Sequence, residues 1–174
     1  MRRMASSLQP VGLALGSNLG DRWSHLRAAR DFLAAWHEGD GAPDVSPVYE
    51  TEPVDCPPDS TPFLNAVMEI VTSLDPEELL ARADAFERRL GRDATRERNA
   101  PRPIDIDILY AGDREIRDTA FEVPHPRLTR RRFVLQPLAE IRPRLVLPGQ
   151  TLNVAELLAL LPAAPAVRQV AAAW

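Results

Sequence analysis

Apolar and polar residues alternate along three stretches of this chain. Over residues 104–110, Ile104, Ile106 and Ile108 fall on one face of a strand, and Asp105 and Asp107 fall together on the other. Over residues 63–71, Leu64, Ala66, Met68 and Ile70 form an apolar face, and Phe63, Asn65, Val67 and Glu69 a mixed one. Over residues 11–16, Val11, Leu13 and Leu15 share a face opposite small residues. A further strand is expected over residues 45–50, and a short hairpin strand near residues 115–117. Elsewhere the spacing is helical. Trp23, Leu26, Ala29, Leu33 and Trp36 would face a core behind Asp21 as N-cap, with residues 39–43 ending the helix. Asp75-Pro76-Glu77-Glu78 opens a second helix with a capping Asp and Pro at the first helical position; Leu79, Ala83, Phe86 and Leu90 form its buried stripe. A third helix is expected over residues 134–141, interrupted by Pro137. Asn153-Val-Ala-Glu156 is a capping box for a fourth over residues 154–161. The chain from Pro162 onward reads as an Ala- and Pro-rich tail.

Mixed strands and helices, with several adjacent strands joined by short loops, predict an α+β sandwich. Its sheet would be mostly antiparallel, with helices packed on its faces. The strand at 104–110 is so apolar apart from its two acids that a central place in the sheet is expected. The 174 residues suit one domain, expected over residues 10–174 behind a disordered lead of residues 1–9. A net charge of −4 argues against a general nucleic-acid binder. All 21 basic residues are Arg, so clustering of arginines says more than the presence of any single one. One cysteine, Cys56, leaves no intrachain disulfide, which fits a reducing compartment. No apolar run is long enough to span a bilayer. A cytoplasmic monomer acting on small molecules, with neither nucleic acid nor membrane as partner, is the expectation.

Two carboxylates side by side on a strand repel each other unless a cation neutralises them. Asp105 and Asp107 have no His or Cys close in sequence, which favours Mg²⁺ over Zn²⁺. Arg92, Arg96, Arg98 and Arg102 crowd one flanking loop, and Arg127, Arg130, Arg131 and Arg132 another. Guanidinium forks hold phosphate oxygens and stabilise charge in phosphoryl transfer. His125, between two prolines, either donates to a phosphate or caps a turn. Phe63, Asn65 and Phe133 are candidates for a pocket that stacks on a flat heterocycle and reads its polar edge. Glu87, next to Phe86 of the helical stripe, is expected to be exposed. Gly12, Gly16 and Gly20 do not form a Walker A loop, which excludes a P-loop kinase.

Together these stretches resemble the 6-hydroxymethyl-7,8-dihydropterin pyrophosphokinases of folate synthesis. The resemblance runs through Leu15-Gly-Ser-Asn-Leu-Gly20, Ser46-Pro-Val-Tyr-Glu-Thr51-Glu-Pro53, Phe63-Leu-Asn65-Ala and Glu87-Arg-Arg-Leu-Gly-Arg92. It continues through Arg98-x-x-Pro-Arg102-x-x-Asp105-x-Asp107-Ile108-Leu109, Val123-Pro-His125-Pro-Arg-Leu and Arg131-Arg-Phe133. It implies a ferredoxin-like α/β sandwich that moves pyrophosphate from ATP to the pterin hydroxymethyl group and releases AMP. By that resemblance Asp105 and Asp107 hold two Mg²⁺ ions, and Thr51, Val54 and Asn65 line a pterin pocket in which Phe63 and Phe133 stack on the ring. Glu87, Arg98, Arg102, Ile108, His125 and Arg131 would contact ATP, and Arg92 and Arg102 would act on the phosphates beside the two aspartates. Asn99 and Ala100 stand where many members carry Trp-Gly, Ala94 where some have another loop Arg, and Pro126 where some carry Tyr.

Overall fold

The computed structural model describes residues 7–53, 59–92, 100–118 and 121–174. Five strands carry the frame: β1 (Gln9–Ser17), β2 (Asp44–Val45), β3 (Val48–Thr51), β4 (Phe63–Thr72) and β5 (Asp105–Ala111). Helix α1 (Arg22–Ala34) follows β1, and α2 (Pro76–Arg89) follows β4. With β2 and β3 counted as one broken strand, the order is β-α-β-β-α-β, which gives the ferredoxin-like sandwich. The sheet runs β5-β1-β4-β3-β8, where β8 is Val167–Ala171; β2 pairs with the far end of β4, and every pairing in the sheet is antiparallel.

Each face of the sheet has its own core. The face bearing Val11, Leu13, Leu15, Leu64, Met68, Ile70, Ile104, Ile106 and Ile108 packs against Leu26, Ala29 and Leu33 of α1 and Leu79, Ala83 and Phe86 of α2. The opposite face supplies Val67, Leu109 and Tyr110, which pack against α3 (Arg132–Ile141) and α4 (Val154–Leu160) through Leu135, Leu138, Val154 and Leu157. A bulge opposite Gly12/Leu13 turns Tyr110 onto this second face. There its ring lies where a Gly12 Cβ would stand, 2.2 Å away, so only glycine fits.

Several expectations need correction. The Asp-bearing strand β5 is an edge strand, not a central one. Its apolar face is covered by helices and its free edge is partly bonded: His125 N donates to Leu109 O at 2.8 Å. The strand expected over 45–50 is split at Pro47, which has no N–H to give; beside it Ser46 N donates to Val67 O and Ser46 Oγ accepts the Val67 amide, both at 2.9 Å. Helix α1 ends at Ala34, before the Gly-rich stretch, although Trp36 still packs on the core. Asp75 precedes α2 without bonding its amides; it pairs with Arg114 at 3.0 Å. Helix α3 runs through Pro137, with Leu135 and Leu138 near it fully buried. The tail is not featureless, since β8 pairs with β3 along Val48–Thr51. The short hairpin, β6 (Ile116–Arg117) with β7 (Glu122–Val123), and the capping box of α4 match expectation.

Candidate active site

Helices α3 and α4 leave one end of the second sheet face uncovered, and a cavity of about 470 Å³ opens there. The strand register builds its floor. Asp105 of β5, Gly16 of β1 and Asn65 of β4 stand in one cross-strand row; Asp107, Ala14 and Val67 stand in the next. Small residues in the middle strand leave room between the acids on one side and the amide on the other. Around this floor the cavity gathers Thr51, Phe63, Asn65, Phe133, Arg102, Arg131, Asp105 and Asp107. Eight of the expected site residues therefore meet in one place.

The apolar half is set for a flat polar ring. Asn65 Nδ2 donates to Thr51 Oγ1 at 2.8 Å, and both side chains are buried. That bond fixes the amide's orientation, so Oδ1 is the atom 3.4 Å from a Cβ built on Gly16. The Arg131 guanidinium carbon lies 5.5 Å from the Phe133 ring centroid, which ties the aromatic half to the charged half.

The charged half is a carboxylate pair hemmed by cations. Arg92 and Arg102 each place Nη1 3.2 Å from Asp105 Oδ1, and Arg131 Nη1 lies 3.9 Å from Asp107 Oδ2. Burial and the neighbouring Asp107 charge push the Asp105 carboxyl up, against the opposing charges of Arg102, Arg92 and Arg131. This arrangement suits an added cation: hard oxygen donors share one face, and burial with the neighbouring Asp107 charge holds Asp105 above its ordinary range. No third acidic, His or Cys side chain joins them into a metal cage among the described residues. Phosphate oxygens and water are the natural remaining ligands for a Mg²⁺ ion seated there. The Arg102 Nε is buried and has no hydrogen-bond partner among the described residues.

His125 sits behind the pair, with Nε2 4.0 Å from Asp107 Oδ2. Its Nδ1 accepts from the Arg127 amide at 3.1 Å, so in the neutral ring Nε2 carries the proton. Burial first, then the charges of Arg131 and Arg127, lower its pKa to about 4, so the ring is a neutral donor at pH 7. The turn-capping reading of His125 is the one seen here, with its other nitrogen facing Asp107.

Glu87 is buried, contrary to its expected exposure. Its Oε1 accepts from Ile106 N at 2.5 Å and its Oε2 from Arg92 Nη1. It thus satisfies an amide on the free edge of β5 and holds an arginine toward Asp105. Burial, then the Asp105 charge, raises its pKa to about 7. The structure does not bring the Glu87, Arg92, Ile108 or His125 side chains into the cavity lining. Ile108 packs in the core behind the acids, which leaves its backbone as the part facing the strand edge. Arg96, Arg98 and Val54, with Ala94 and Asn99, lie outside the described residues.

Asn18 was not singled out from the sequence, yet it braces two sides of the site. It is fully buried; its Oδ1 accepts from Arg102 N at 2.9 Å, and its Nδ2 donates to Thr61 O at 3.5 Å. A polar residue straight after the end of a core strand was the available signal. Arg127, Arg130 and Arg132 also line the cavity; of these, Arg132 turns its Nη1 to the backbone carbonyls of Leu161 and Pro162.

A family model for 7,8-dihydro-6-hydroxymethylpterin-pyrophosphokinase (HPPK) matches residues 12–143. A Bacillus subtilis 2-amino-4-hydroxy-6-hydroxymethyldihydropteridine pyrophosphokinase is 48% identical over 130 residues, covering 74% of this chain and 75% of that protein. An Arabidopsis thaliana folate synthesis bifunctional protein is 38% identical over 136 residues, 78% of this chain but 28% of its own length. The fold is similar to that of a Plasmodium falciparum HPPK-DHPS solved with SDX-DHP, with a TM-score of 0.71 and 14% identity over 91% of this chain and 46% of that one. The chain thus spans under half of these two longer proteins.

Proposed function

The chain belongs to the 7,8-dihydro-6-hydroxymethylpterin-pyrophosphokinase family of folate synthesis, and from that premise we propose how its residues divide the work. The reaction moves the β,γ-diphosphoryl group of ATP to the hydroxymethyl oxygen of 6-hydroxymethyl-7,8-dihydropterin. That oxygen bonds to the β-phosphorus, the bond from β-phosphorus to the α,β-bridging oxygen breaks, AMP leaves, and the hydroxyl proton is lost. The observation that carries the reading is the single cavity in which a ring-binding half (Thr51, Asn65, Phe63, Phe133) adjoins a carboxylate pair (Asp105, Asp107).

Asp105 and Asp107 are the residues that would hold Mg²⁺, as two ions. Bound there, the metal supplies charge neutralisation along the phosphate chain and a more acidic hydroxyl. Asn65, oriented by Thr51, reads the polar edge of the pterin, and Phe63 and Phe133 close on its faces. Arg102, braced by Asn18, takes phosphate oxygens beside Asp105; Arg92, steered by Glu87, does so as well. His125 and Arg131, next to Asp107, serve the nucleotide, as do Arg98 and the Ile108 backbone. Residues 10–174 act as one domain, as a monomer in the cytoplasm. Among the described residues no helix is long and apolar enough to cross a membrane.

Chromatography of a reaction containing ATP, Mg²⁺ and the hydroxymethyl pterin tests this. AMP and pterin diphosphate should appear one for one, with no AMP when the pterin is omitted. ADP as the nucleotide product would contradict the transfer.

A further inference from the structure

The family match stops at residue 143, yet one wall of the cavity comes from beyond it. Leu161, Pro162, Ala164, Pro165 and Val167 line that wall. Two anchors hold the segment. At one end Val167 opens β8 and pairs with Thr51 of β3, the residue whose hydroxyl orients Asn65. At the other end Arg132 Nη1 donates to Leu161 O at 3.2 Å and to Pro162 O at 3.3 Å. Leu161 caps the C-terminus of α4, where carbonyls lack amide partners within the helix, so a guanidinium is a natural partner there. Arg132 opens α3 beside Phe133, so one side chain links the helix that carries the ring-stacking residue to the segment across the cavity. The wall's side chains are aliphatic or prolyl and offer no donor or acceptor. That chemistry suits the face or rim of a flat ring, not a phosphate.

We propose that residues 161–167 form a specificity wall for the pterin, and that Arg132 is the positioning residue that holds the wall in place. The inference rests on the reading of this cavity as the pterin site. The wall limits the width of the pocket on the β3 side, and Arg132 acts through the backbone of Leu161 and Pro162, without touching the ring.

Steady-state kinetics of three full-length variants tests it, with thermal unfolding run alongside. Arg132→Ala should raise the KM for the hydroxymethyl pterin about five- to tenfold, the scale of one lost positioning interaction, while kcat and the KM for ATP stay within about twofold. Arg132→Lys, which keeps one donor within reach of the carbonyls, should recover most of the affinity. Ala164→Phe, which fills the pocket from the wall and leaves Arg132 alone, should also raise the pterin KM; it decides the matter if Arg132→Ala does not fold. An unchanged pterin KM in Arg132→Ala and Ala164→Phe, with normal turnover by the wild type, overturns this inference alone. A rise in the KM for ATP in Arg132→Ala would assign the guanidinium to phosphate and overturn it as well. A wild-type enzyme that forms no pterin-dependent AMP would overturn both this inference and the reading beneath it.

Discussion

Glu87 shows how a single buried acid couples stability to pH. Its side chain is 1% exposed and its pKa is raised to about 7 from an ordinary 4.5. Between those values the folded protein keeps a proton on Glu87 that the unfolded chain has released. Its contribution to stability is therefore fully present below pH 4.5 and is lost as the pH rises toward 7. Replacing Glu87 with Gln removes the titration. The difference in unfolding free energy between wild type and Glu87→Gln should shift by up to about 3 kcal/mol across that window, the wild type losing ground as pH rises. Urea unfolding of both proteins at several pH values measures this, and parallel curves would refute it. The sequence placed Glu87 on the helix, one position from Phe86, but did not reveal its burial. The reason lies across space: Ile106 presents an amide from the free edge of β5, and a carboxylate from α2 is what reaches it.

Local alternation read the strands well because each apolar face really is a core face. Leu64, Ala66, Met68 and Ile70 all enter the first core cluster, and Val67 enters the second. Lateral order was not legible, since periodicity says nothing about which strand lies beside which. β5 looked central because it is apolar, yet it is an edge strand whose apolar face is covered by helices. β8 escaped notice because Val167–Ala171 gains strand character from pairing with β3, far away in sequence. The small residues of β1 were legible as a pattern, but their two purposes were not. At Gly12 a Cβ would meet the Tyr110 ring at 2.2 Å, whereas at Gly16 the nearest atom is Asn65 Oδ1 at 3.4 Å. Gly12→Ala should therefore cost about 1–3 kcal/mol of stability through overpacking. Gly16→Ala should leave stability nearly unchanged and instead weaken pterin binding by crowding the cavity floor. Denaturant midpoints and pterin KM for the two variants would show the split; equal destabilisation by both would contradict it.

At the scale of the whole molecule, one sheet separates two tasks. Its first face, with α1 and α2, makes the larger core; its second face is only part-covered by α3 and α4, and the uncovered end holds the candidate site. The Asp pair, the residues proposed for the ring pocket and the Arg clusters were visible as residue types in the sequence. What the sequence withheld was their supports: Asn18 tying Arg102 to Thr61, Glu87 steering Arg92, and Arg132 holding the far wall. A net charge of −4 also hides a local excess of cations, since Arg102, Arg127, Arg130, Arg131 and Arg132 all line the cavity with Glu52, Asp105 and Asp107. Everything in the account turns on those two acids. The most direct test is AMP formation by Asp105→Asn and Asp107→Asn under saturating ATP, Mg²⁺ and hydroxymethyl pterin, with circular dichroism to confirm the fold. Each substitution should lower kcat by about a thousandfold or more, the size of a lost electrostatic element in phosphoryl transfer. Turnover within tenfold of wild type by either folded variant would contradict the account.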